Sequence, residues 1–93
     1  MARTPIHPGE ILSDELKERG IKGAEASRQI GVPENRIPAI VRGDRNITAD
    51  TALRLGRWLG TGPEFWMNLQ VSYELRLAQP EIGKELERIP IAC

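Results

Sequence analysis

Apolar residues recur at helical spacing along this chain, and glycines and prolines cut the recurrence into short blocks. The first block opens at His7-Pro8-Gly9-Glu10. Pro8 suits a first helical position, and Glu10 sits near the positive end of the helix dipole. Ile11, Leu12 and Leu16 share a face, and Gly20 follows Lys17 and Arg19 as a stop. A second helix is expected from about Gly23 to Ile30, with Ala26 and Ile30 inward and Gly31 ending it. A third is expected from about Pro33 to Arg42. Its stripe is Ile37, Ile40 and Val41, which leaves Glu34, Asn35, Arg36 and Ala39 on the opposite side. Thr48 caps a fourth helix carrying Ala52, Leu53, Leu55, Trp58 and Leu59, and Gly60 stops it. The fifth starts at Pro63-Glu64 and carries Phe65, Trp66, Leu69, Tyr73 and Leu77. Pro80 is expected to break the chain before a weaker sixth segment, Glu81 to Ile89, and an extended tail. No useful stretch alternates, so the expected class is all-α with no sheet of consequence.

The spacing between Ile21 and Gly43 is that of a helix-turn-helix, at about residues 23–42. Two short helices at a steep angle leave the start of the second free to enter a DNA major groove. There Asn35 suits paired hydrogen bonds to adenine, Arg36 to guanine, Glu34 to the cytosine amine and Ala39 to a thymine methyl. Lys22, Arg28, Arg42, Arg45 and Asn46 surround these positions as candidates for phosphate contacts, which set register without reading sequence. Pro38 lies inside the third block and lacks an amide proton, which predicts a kink or a tightened first turn there.

Composition adds little and excludes much. The chain has 93 residues, which suits one small domain. Net charge is zero, so there is no global basic field. Locally the balance differs: from Lys22 to Arg45 there are five cations against three anions, the only positive window of the chain. No run approaches the roughly 18 apolar residues of a membrane span, and the first five residues lack the apolar core of a signal peptide. Cys93 is the single cysteine, so no internal disulfide forms, which fits a reducing cytoplasm. His7 is the single histidine and has no metal-ligand spacing around it. No catalytic residue, metal site or cofactor is expected.

Two tryptophans are many for a domain of this size. Core packing is the default for the aromatic set, but Phe65, Trp66, Leu69 and Tyr73 are also candidates for a dimer interface through the fifth helix and the C-terminal segment. A two-fold dimer would place two third helices about 34 Å apart on one face of DNA.

With these residues laid out, the chain resembles the HigA/VapI-type antitoxins of the Cro/repressor (XRE) helix-turn-helix family. The matching stretches are His7-Pro8-Gly9-Glu10-Ile11-Leu12, Gly31-Val32, Ile47-Thr48-Ala49-Asp50-Thr51-Ala52-Leu53-Arg54-Leu55 and Gly60-Thr61-Gly62-Pro63-Glu64-Phe65-Trp66-Met67-Asn68-Leu69-Gln70, with Tyr73 beyond. They cover about residues 7–78. The resemblance implies a five-helix, lambda-repressor-like domain over 7–78, flanked by a tail (1–6) and a C-terminal helical extension (79–93). It implies a homodimer on a palindromic operator in double-stranded DNA, repression of its own operon, and neutralisation of a RelE/HigB-like mRNA-cleaving toxin. The expected setting is the bacterial cytoplasm, at the nucleoid, with no membrane partner. Departures are visible. Gly23 stands where family members often have a Gln that buttresses phosphate, Ala26-Ser27 replaces the usual leucine-alanine pair, and Pro38 replaces a Ser or Thr. These leave two other readings open: an interaction module that neutralises a toxin without appreciable DNA binding, or a stand-alone phage-type repressor.

Overall fold

The computed structural model describes residues 4–92; residues 1–3 of the expected tail and Cys93 lie outside the described residues. Five helices follow in order: α1 (Pro8–Arg19), α2 (Gly23–Ile30), α3 (Arg36–Val41), α4 (Ala49–Leu59) and α5 (Pro63–Glu87). No strand occurs among the described residues, so the all-α expectation holds.

Each helix contributes to one core. Leu12 and Leu16 come from α1, Ala26 and Ile30 from α2, Ile37 and Ile40 from α3, Ala52 and Leu55 from α4, and Trp66 from α5. Ile47, in the loop before α4, completes it. Fully burying a side chain of this kind contributes about 1.5–3 kcal/mol. The His7-Pro8-Gly9-Glu10 motif has a structural cause. His7 caps α1 by accepting the Gly9 N–H on Nδ1 at 2.9 Å. Gly9 itself lies against the Ile40 carbonyl, with its missing side chain making room for α3 to cross α1.

Four features differ from the sequence-based expectation. First, α3 begins at Arg36 rather than Pro33. Pro33 to Asn35 form a tight turn closed by the Arg36 N–H to the Pro33 carbonyl, 2.9 Å. Pro38 thereby falls in the first turn of α3, where no helical carbonyl would have met its amide, and the interior-proline cost is avoided. Second, Leu53 is exposed: it is one residue past the inward Ala52, about 100° around the helix. Third, Trp66 is sealed inside the protomer and donates its Nε1–H to Thr61 Oγ1 at 3.0 Å. Fourth, α5 runs through Pro80 to Glu87 with no break and no sixth helix. Proline there removes one helical hydrogen bond, but the flanking residues are exposed, so water satisfies the freed carbonyl.

Beyond Gln70 no residue of α5 is buried, and the helix projects from the body, giving extents of 48 × 26 × 21 Å. It crosses the expected 78/79 boundary as one rod. No helix of the described chain is long and apolar enough to cross a membrane.

Candidate nucleic-acid interface

The helix-turn-helix is fixed at both joints. Gly31 ends α2 in the left-handed conformation (φ 76°), which glycine adopts without strain. From α4, Arg54 reaches back to this turn. Its Nη1 donates to the Ile30 carbonyl at 2.7 Å and to the Gly31 carbonyl at 3.4 Å, while its Nε pairs with Asp50 at 2.8 Å. Trp58 Nε1–H donates to Gln29 Oε1 at 2.9 Å, a second tie between α4 and α2. The third helix is held from beneath by Ile37 and Ile40, both fully buried; Val41 is only half-buried.

The four expected base readers separate into two groups. Glu34 and Asn35 are exposed on the turn that leads into α3, and Ala39 is half-buried on its flank. Arg36 is drawn inward. Its Nη1 lies 3.5 Å from Thr51 Oγ1 on α4, and its Nε is enclosed without a partner. The expectation that Asn35 and Arg36 both project outward therefore holds for Asn35 alone. The physical reason is position: as the first residue of α3 it sits over the start of α4, where Thr51 offers a hydroxyl.

The expected phosphate contacts share one property, exposure. Lys22, Arg28, Arg42, Arg45 and Asn46 are all exposed. Arg28 pairs with Glu34 at 3.0 Å and Arg42 with Asp44 at 3.1 Å. Both pairs are solvated and worth little in water, so both cations remain available to a stronger anion. Arg45 has no such pair among the described residues. Asn46 is partly committed: its Oδ1 lies 3.3 Å from His7 Nε2. Since Nδ1 of that ring accepts from Gly9, the ring proton belongs on Nε2, which donates to Asn46.

Two residues outside the expected DNA-contact set, His7 (expected only to open the first helix) and Gln70, position the loop that bears Arg45 and Asn46. His7, buried and stacked edge-on against Tyr73 at 4.8 Å, ties the loop to the start of α1. Gln70, also buried, accepts the Ile47 N–H on Oε1 at 2.8 Å and donates to Glu74 at 3.2 Å. The signal for Gln70 was a polar residue one helical turn from Trp66 on the inner face of α5.

The expected dimer residues are also redistributed. Trp66 is removed from that set by its burial, where it closes the corner between α4 and α5. Leu69 and Tyr73 are half-buried and Phe65 is exposed. The larger free apolar surface lies farther along α5, at Val71, Leu75, Leu77, Ile82 and Leu86. No group of three or more His, Cys, Asp or Glu residues is placed to hold a metal among the described residues.

The chain matches no protein-family profile. Individual proteins are close to it. Virulence-associated protein I of Dichelobacter nodosus is 46% identical over 77 residues, 82% of this chain and 71% of that one. An addiction module antidote protein of the HigA family from Coxiella burnetii superposes with a TM-score of 0.88 at 43% identity, covering 98% of this chain and 100% of its own. The Pseudomonas aeruginosa antitoxin HigA, solved with the higBA promoter, superposes at 0.87 with 46% identity, covering 95% and 97%. Similarity of this extent, in sequence and along nearly the whole fold, places the chain in the HigA family of helix-turn-helix antitoxins.

Proposed function

We propose that this protein is a DNA-binding antitoxin that represses its own operon and neutralises a RelE/HigB-like toxin. The observation that carries the DNA reading is the exposed turn Glu34-Asn35, leading into the buried Ile37 and Ile40, with Arg28 paired to Glu34 and Lys22, Arg42 and Arg45 also exposed. It is supported by the promoter-bound state of the P. aeruginosa relative. In this reading Asn35, Glu34 and Ala39 meet base edges, the four cations meet phosphate, and Arg36 seats α3 on α4. The protein acts by occupying DNA and a partner protein, not by catalysis, and works in the bacterial cytoplasm.

The homodimer that a palindromic operator requires is proposed on the outer half of α5. Val71, Leu75, Ala78, Ile82 and Leu86 recur at intervals of three and four residues, which makes one continuous stripe. The apolar members of that stripe, Val71, Leu75, Ile82 and Leu86, are 44–62% exposed in the single chain. Phe65 is exposed nearer the start of α5, while Leu69 and Tyr73 lie half-buried on the side of the helix that faces the N-terminal segment and α1.

Binding titrations on duplex DNA from upstream of the gene test the DNA reading. Asn35→Ala is expected to lose about 1–3 kcal/mol on that DNA and little on scrambled DNA. Arg45→Ala is expected to weaken both alike and to flatten the salt dependence by about one unit of slope. If the parent protein binds neither duplex, the interaction-module alternative replaces this reading.

A further inference from the structure

Gly23, Ser27 and Pro38 meet in one place. Gly23 opens α2, and a Cβ placed on it would lie 3.0 Å from Cγ and 3.3 Å from Cδ of Pro38. That is tighter than ordinary contact, so any larger residue at 23 requires the proline ring to shift by a few tenths of an ångström. One turn along α2, Ser27 is fully buried. Its hydroxyl donates to the Gly23 carbonyl at 3.1 Å and accepts the Ile37 N–H at 3.0 Å.

These contacts settle every donor in the first turn of α3. A helix start leaves its first amides without helical partners, and buried ones are costly. Here the Arg36 N–H goes to Pro33, the Ile37 N–H goes to Ser27, and Pro38 has no N–H. Glycine, serine and proline therefore form one fitted contact between the start of α2 and the start of α3. The turn that carries Glu34 and Asn35 lies directly before it, and Lys22 lies directly before Gly23.

We propose that Gly23, Ser27 and Pro38 are a matched set of positioning residues that fixes the reading turn against the phosphate-side cations, so that operator discrimination depends on residue 23 and residue 38 jointly. This rests on the DNA reading given above.

The test is a double-mutant cycle in the full chain: parent, Gly23→Ala, Pro38→Ala and the double variant. For each, the ratio of affinities for upstream and scrambled duplex DNA is measured at one salt concentration, beside a urea midpoint. Contacting residues couple by amounts that correspond to about threefold to a hundredfold in an equilibrium. Gly23→Ala is expected to lower the ratio about tenfold in the parent and by less than about threefold in the Pro38→Ala background. A Gly23→Ala protein that folds only when Pro38→Ala accompanies it also supports the matched set. Equal effects of Gly23→Ala in both backgrounds overturn it, as does a shift in urea midpoint with no change in the ratio, or failure to fold in both backgrounds. A parent protein with no preference for upstream DNA defeats the DNA reading itself, and that result is visible before any variant is made.

Discussion

Gly9→Ala is expected to cost about 3 kcal/mol or more and to lower the melting midpoint by more than about 10 °C. The added methyl would overlap the Ile40 carbonyl oxygen and sit 2.8 Å from the Ile40 carbonyl carbon. Both are backbone atoms, so no rotamer change relieves the overlap; α1 and α3 must separate. Ile40 lies on the floor of the reading helix, so the same change is expected to displace the Glu34-Asn35 turn. Gly83→Ala is the control. A Cβ there meets nothing within 4 Å, and alanine in a helix interior gains roughly 0.5–1 kcal/mol over glycine. Thermal denaturation of the two variants should move in opposite directions. A Gly9→Ala midpoint within a few degrees of the parent would mean that the crossing is looser than the geometry shows.

Trp66→Ala is expected to cost about 3–5 kcal/mol, a large share of the roughly 5–15 kcal/mol that holds a small domain together. The indole has no solvent exposure, packs edge-on against Phe65 at 5.0 Å and hydrogen-bonds Thr61. Its loss leaves a cavity at the corner of α4 and α5 and a Thr61 hydroxyl whose remaining bond is its donation to the Gly62 carbonyl at 3.0 Å. The consequence reaches the DNA side, because Gln70 lies one turn farther along α5 and holds Ile47 in the loop that bears Arg45. Urea unfolding followed through the remaining Trp58 measures the effect. A loss below about 1 kcal/mol would contradict the assignment of Trp66 to the core.

The sequence made most helix ends legible because they are marked by local chemistry. Glycine after Arg19, Ile30 and Leu59 stops a helix, and proline at 8 and 63 starts one. The start of α3 was misplaced because Pro33 carries the same start signal, while Pro38 had a stronger requirement: to lie in the first turn. The break expected at Pro80 does not occur: α5 continues through it, and the cost of the lost hydrogen bond and of the ring against the carbonyl one turn back is borne in an exposed rod without ending the helix. Periodicity placed Ile37, Ile40, Ala52 and Leu55 on buried faces, but an apolar residue on a helix is not always inward, and Leu53 and Leu77, named with the apolar sets of their helices, are exposed.

The site was half legible. Glu34 and Asn35 are exposed, as the stripe of Ile37 and Ile40 implies, but on the turn before α3 and not on the helix itself. What the pattern could not show were polar contacts between distant elements. Arg36 to Thr51 spans 15 residues, Ile47 to Gln70 spans 23, Arg54 to Ile30 spans 24 and His7 to Asn46 spans 39. Each depends on which faces meet after folding. Trp66 shows the same limit from the apolar side: helical spacing marks it as packed, but not whether its partner is this chain or a second copy.

Dimethyl sulfate probing of the upstream DNA, free and bound, addresses the proposed mode of action most directly, because it reports the major-groove edge of guanine and the minor-groove edge of adenine separately. If two copies of the Glu34-Asn35 turn enter the major groove, guanine N7 reactivity should fall in two clusters about 10–10.5 base pairs apart, and Asn35→Ala should weaken both. Unchanged guanine N7 reactivity in saturated complex, or protection confined to the minor groove, would contradict it.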